Sequence, residues 1–85
     1  MDPELILAGL EELAARMGLR VRYENFGEGE IEVRSGRCRL KGENMFIMDR
    51  RLKTAERVEL LLAELKRLDL TGVYIKPYLR ALLEG

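Results

Sequence analysis

Histidine, tryptophan and glutamine are absent from the chain, and cysteine occurs once. The lack of histidine removes the commonest general base and the commonest metal ligand. A single cysteine, Cys38, excludes an internal disulfide and could bridge only to another molecule. Its expected place is as a small buried apolar residue in a reducing cytosol. No apolar run approaches the ~20 residues that a membrane helix needs. Residues 1–30 carry no run fit for a signal peptide, so a cytoplasmic location without a membrane partner is expected. Charge of one sign is also lacking, because fifteen basic and fifteen acidic side chains cancel. A dedicated nucleic-acid binder is usually basic overall or in one block.

What is present describes a folded domain. Hydrophobic residues make up 47% and charged residues 35%, which places the chain outside the disordered and membrane classes. Eighty-five residues support one core, so residues 1–85 are expected to form a single domain. Ordering the backbone costs on the order of 1–2 kcal/mol per residue, and apolar burial in so small a core barely exceeds that. Small domains without disulfides or metals often supplement the core by pairing with a second copy.

The chain opens with a helix signal. Asp2 is a good N-cap, Pro3 suits the first helical position, and Glu4 favours the positive end of the helix dipole. Ile6, Leu10, Leu13 and Met17 recur at helical spacing, and Gly18 ends the segment. Gly9 is a weak point unless a close contact requires it. Leu19 to Glu24 alternates, with Leu19, Val21 and Tyr23 on one face. Residues 25–29 read as a loop, and Glu30 to Arg34 alternates again.

The most patterned stretch runs from Ser35 to Asp69. The apolar parity flips at Ser35-Gly36, as at a bulge or bend. Cys38 and Leu40 are then expected to face inward, with Arg37, Arg39 and Lys41 on the other face. Gly42-Glu43-Asn44 reads as a turn. Met45 to Met48 is a continuous apolar run, expected to be a central strand covered on both faces. Thr54 is the expected N-cap of a second helix, whose stripe is Val58, Leu61, Leu62, Leu65 and Leu68. Leu60 falls on the opposite, polar side. Val73 to Ile75 is extended before Pro77. Pro77 opens a short helix bearing Leu79, Leu82 and Leu83, too short to hold unless it docks.

Ser35-Gly36-Arg37-Cys38, Met45 to Asp49, Arg51-Leu52 and residues 61–67 (Leu-Leu-Ala-Glu-Leu-Lys-Arg) resemble the opening of the ImmA/IrrE-type metallopeptidases, which have a zincin-like fold. In that family a strand pair leads through a Ser or Thr cap into a helix bearing His-Glu-x-x-His. The resemblance puts Glu64 in the place of the catalytic glutamate. Ala63 and Arg67 stand where the two zinc-binding histidines belong. Alanine cannot bind a metal and arginine repels one. The likeness therefore implies a zincin-like relic without metal or peptidase activity. The Ser35–Arg39 strand, Asp49-Arg50-Arg51-Leu52 and the Pro77-Tyr78-Leu79-Arg80 segment are also similar to short bacterial proteins of unassigned function, a likeness that implies a family and no activity.

Candidate chemistry is sparse. Cys38 has no histidine to activate it, and Arg37 and Arg39 alternate away from it. The glutamates show no ligand spacing, and residues 27–30 (Gly-Glu-Gly-Glu) lack the features of a phosphate loop. No catalytic residue, cofactor or metal is expected. Arg37, Arg39 and Lys41, with Arg34, Arg50, Arg51 and Lys53 nearby, could meet phosphates while Tyr23, Phe26 or Phe46 stack on bases. A basic strand also guards against edge-to-edge aggregation.

The expected fold is α+β: a small, mostly antiparallel sheet of three or four strands, two main helices on one face, and a short C-terminal helix. The expected function is a non-catalytic protein-interaction or structural module that forms a homodimer, with Leu60, Leu79, Leu82 and Leu83 as candidate interface residues. The alternatives are a nucleic-acid-binding module using strand 37–41 and an inactive relic of a zinc metallopeptidase.

Overall fold

The computed structural model describes residues 2–25 and 35–85. Along the chain run α1 (Pro3–Arg16), β1 (Leu19–Glu24), β2 (Ser35–Leu40), β3 (Glu43–Asp49), α2 (Thr54–Leu65) and α3 (Pro77–Glu84). The α+β class is as expected. The expected strand at 30–34, with Phe26 and the Gly-Glu-Gly-Glu loop, lies outside the described residues.

Local chemistry accounts for the element ends. The Asp2 carboxylate accepts the Glu4 N–H at 3.0 Å, and Pro3 occupies the first turn of α1. Gly18 takes φ 78°, a left-handed conformation that favours glycine, and turns the chain into β1. The N-cap of α2 is Lys53, one residue earlier than the expected Thr54. The Lys53 N–H donates to Glu56 Oε1 at 2.9 Å, so the glutamate one turn in satisfies the cap. Pro77 opens α3.

The sheet corrects the expectation of mostly antiparallel pairing. Its three described strands lie in the order β1-β3-β2, with β1 parallel to β3 and β2 antiparallel to β3. Parallel neighbours need a long crossover, and the segment between β1 and β3 supplies it, with β2 on its return leg. The β2–β3 turn is Lys41-Gly42, not Gly42-Glu43-Asn44. Both residues have positive φ, 52° and 83°, and Leu40 pairs with Glu43 across them. Two left-handed residues in a row make the tight hairpin whose twist matches the strands.

Registers define the faces. Val21 and Arg37 flank Phe46, and Tyr23 flanks Met48. These residues share the face that carries the helices, where Leu19, Phe46 and Met48 join Leu7, Leu10, Leu13, Leu61 and Leu65 in the core. Met45 and Asp49 lie on the opposite face and are also buried, so β3 is covered on both sides as expected. A thin axis of 17 Å fits one sheet and one layer of helices.

Three expectations about burial are corrected. Leu60 is half-buried against the core instead of exposed, because α2 packs against α1 and α3 as well as the sheet and buries a wider arc than one stripe. Cys38 and Leu40 are exposed, and Arg37 faces the helix layer. Alternation separates two faces without saying which one meets the helices, and here the face of β2 toward the helices is the arginine face. Gly9 has its close contact: a Cβ there would lie 2.6 Å from Tyr78 Oη and 3.0 Å from Leu79 Cδ1. The short α3 is thereby held against α1.

Candidate functional site

β2 ends the sheet, so one side of its backbone has no strand partner among the described residues. Residues from Gly36 to Leu40 are all exposed, and Leu40 reaches 53%. The side chains alternate in chemistry. Arg37 and Arg39 lie on the helix-bearing face, and Cys38 and Leu40 on the other. Lys41 follows in the turn.

Arg37 is anchored. Its Nε lies 3.1 Å from Oε2 of Glu64, a carboxylate only 5% exposed on α2. Arg67, one turn further along the chain, approaches the other oxygen at 3.8 Å. No hydrogen-bond donor is aligned on Glu64 Oε2, so the Arg37 contact is electrostatic. A buried carboxylate needs such cations, because an unpaired charge there is costly. Of the positions that resemble the metallopeptidase motif, Ala63 and Arg67 are exposed, and Glu64 is turned to the arginine of β2. No group of three His, Cys, Asp or Glu side chains could hold a metal among the described residues.

The second polar cluster sits beyond the other edge. The Tyr23 hydroxyl donates to Glu11 on α1. The Arg57 guanidinium stacks 4.5 Å above the Tyr23 ring and donates to the carbonyls of Leu52 at 3.0 Å and Arg50 at 2.7 Å. Burial first, then the hydrogen bond and charge of Glu11, push the Tyr23 phenol above its ordinary value of 10.0, with Arg57 opposing. The cluster ties α1, β1 and α2 together. One signal for it lies in the sequence: an inward-facing tyrosine needs a partner for its hydroxyl. Next to it the buried Asp49 accepts Arg51 N–H at 2.9 Å, Arg51 Nε at 3.1 Å and Arg51 Nη2 at 2.7 Å.

The basic residues are therefore divided. Arg37, Arg39 and Lys41 run along β2 to its hairpin turn, whereas Arg50, Arg51 and Lys53 follow the far end of β3. A seven-residue strand separates the turn from that far end by roughly 20 Å. Arg50 and Arg51 are also engaged, with the Tyr23 carbonyl and Asp49. Phe46 is buried and Tyr23 lies under Arg57, so neither offers a free ring face to a base.

The candidate interface leucines are divided too. Leu79 is 3% exposed, in the core against Gly9. Leu60 and Leu83 are half-buried against that core, and Leu82 is half-buried outside it. Leu5 on α1 and Tyr74 before α3 are exposed and lie outside the expected interface set. No protein-family model, curated protein or solved structure matches the chain.

Proposed function

We propose that the chain is a non-catalytic protein-interaction module that takes an extended segment of a partner onto the outer edge of β2. The observation that supports this is the edge itself: among the described residues β2 is a six-residue strand bonded to one neighbour, and the residues from Gly36 to Leu40 are all exposed. Such a strand offers unpaired N–H and C=O groups, and strand addition uses them for affinity while alternate side chains set specificity. The test is a titration of isotope-labelled protein with hexapeptides that alternate valine with glutamate, lysine or threonine. At least one should shift the resonances of β2 and leave α3 undisturbed. If none of the three perturbs β2 at millimolar concentration, the reading falls.

A second reading, self-association, is supported by Leu5 and Leu82, apolar residues on α1 and α3 outside the core. Sedimentation should then give a dimer that Leu82→Glu converts to a folded monomer. A wild-type monomer at high concentration would remove this reading and leave the first intact.

A further inference from the structure

The hairpin geometry specifies which backbone groups the edge offers. In a two-residue hairpin the closing pair, here Leu40 and Glu43, exchanges both backbone hydrogen bonds, and bonded pairs then alternate with unbonded ones. Gly36, Cys38 and Leu40 therefore turn their N–H and C=O groups toward β3. Arg37 and Arg39 turn theirs outward. The two residues whose outward backbone groups have no strand partner among the described residues are also the two that carry guanidinium groups.

This arrangement opposes a second copy on the same edge. If two β2 strands paired antiparallel with their helices on one side of a joined sheet, only residues of the same face could lie opposite each other. A register centred on Cys38 sets Arg37 against Arg39. One centred on Arg37 or on Arg39 sets that arginine against itself. Like charges directly opposite are destabilising in every one of these registers.

Charge complementarity instead selects an acidic partner. Glu64 lies beside Arg37, whereas Arg39 and Lys41 are exposed and form no ion pair among the described residues. On the other face Cys38 and the exposed Leu40 provide an apolar step.

We infer that the β2 edge binds an extended acidic segment of another protein in which acidic and apolar residues alternate, the acids opposite Arg37 and Arg39 and the apolar residues opposite Cys38 and Leu40. This inference rests on the strand-addition reading and adds to it the chemistry of the partner.

The experiment uses the full chain and blocked hexapeptides of alternating valine and glutamate, valine and lysine, or valine and threonine, with amide exchange read residue by residue. The valine–glutamate peptide should slow exchange at Arg37 and Arg39 and leave Gly36, Cys38 and Leu40, already bonded to β3, nearly unchanged. Its binding should weaken with salt. Arg39→Glu, at an exposed position, should lose about tenfold in affinity for the glutamate peptide and gain for the lysine peptide. Equal or tighter binding of the lysine or threonine peptide to the wild type would overturn the acidic partner while strand addition stands. Failure of all three peptides would overturn both. Protection of Arg37 and Arg39 that grows with protein concentration alone would assign the edge to a second copy, and protection by a single-stranded oligonucleotide but not by the glutamate peptide would assign it to nucleic acid. Either result overturns the inference.

Discussion

Among the described residues β1 and β2 are both six-residue edge strands bonded only to β3, yet their side chains meet different surroundings. β1 sends Leu19 into the core and Tyr23 into a junction with Glu11 and Arg57, so its inward face is tied to both long helices. β2 sends one anchored side chain toward the helix layer, Arg37, and leaves the rest of its described side chains to solvent. A parallel edge covered by packed helices contributes stability. An antiparallel edge whose inner face is held by an ion pair contributes less. The difference teaches that position at the edge of a sheet does not by itself fix how firmly a strand is held. The deciding factor is how far the helix layer reaches over it.

The comparison breaks most readily at its apolar positions. Leu19→Ala should cost about 2–5 kcal/mol in urea unfolding, the range for a buried leucine, whereas Leu40→Ala should stay within about 0.5 kcal/mol. Equal losses would show that β2 is as tightly built in as β1. Next in size is the ion pair. Arg37→Ala leaves the buried Glu64 with only Arg67, 3.8 Å away, among the described cations and should cost about 1–3 kcal/mol. Glu64→Leu, which removes the buried charge, should cost less than Arg37→Ala, since buried ion pairs exchanged for apolar groups are often near neutral. The reverse order would mean that Glu64 is stabilised by something besides the arginines.

A smaller effect is expected at the β1 junction. Tyr23→Phe removes one hydrogen bond to Glu11 and should cost about 1 kcal/mol at neutral pH. Its pH dependence carries a sign. Folding raises the Tyr23 phenol above 10.0, so the folded state favours the protonated form. The stability tied to that proton is fully present below the unfolded value and is lost as pH rises beyond 10.0. The wild type should therefore lose its advantage over Tyr23→Phe in alkali, and a constant gap between the two would show that the hydroxyl is not held as described. The smallest effect belongs to β2 again: Cys38→Ser should leave the midpoint within about 0.5 kcal/mol, and the wild-type thiol should react with a disulfide reagent without unfolding. Protection of that thiol would contradict its exposure.

Legibility varied with the kind of signal. The capped start of α1, the alternation of β1, the covered strand at Met45 to Met48 and the proline-led α3 were all readable, because each rests on contacts within a few residues or on strict periodicity. The cap of α2 slipped by one residue because Glu56 can satisfy the backbone from within the helix, and a threonine is a stronger signal than a lysine. The parity of β2 was inverted. Its alternation is visible in the sequence, but hydrophobicity does not choose the covered face, and Glu64 lies 27 residues beyond Arg37. Leu60 was placed on the polar side because a helical wheel shows one stripe, and α2 is packed on more than one side. The Tyr23–Glu11–Arg57 junction joins three elements, and no spacing in one stretch could reveal it.

By itself the sequence determined the class of the domain, the places where its helices begin, and the strand that would be central, since caps, breakers and periodicity act over a turn or a pleat. It also determined that chemistry based on histidine is excluded, because no histidine is present. Only the tertiary structure decided that β1 runs parallel to β3, that Arg37 and not Cys38 faces the helices, and that β2 ends the sheet among the described residues. Those outcomes depend on which surfaces meet across long stretches of chain, and the energies that settle them, a buried carboxylate finding its cations and a glycine admitting α3, belong to pairs of residues that local pattern does not connect.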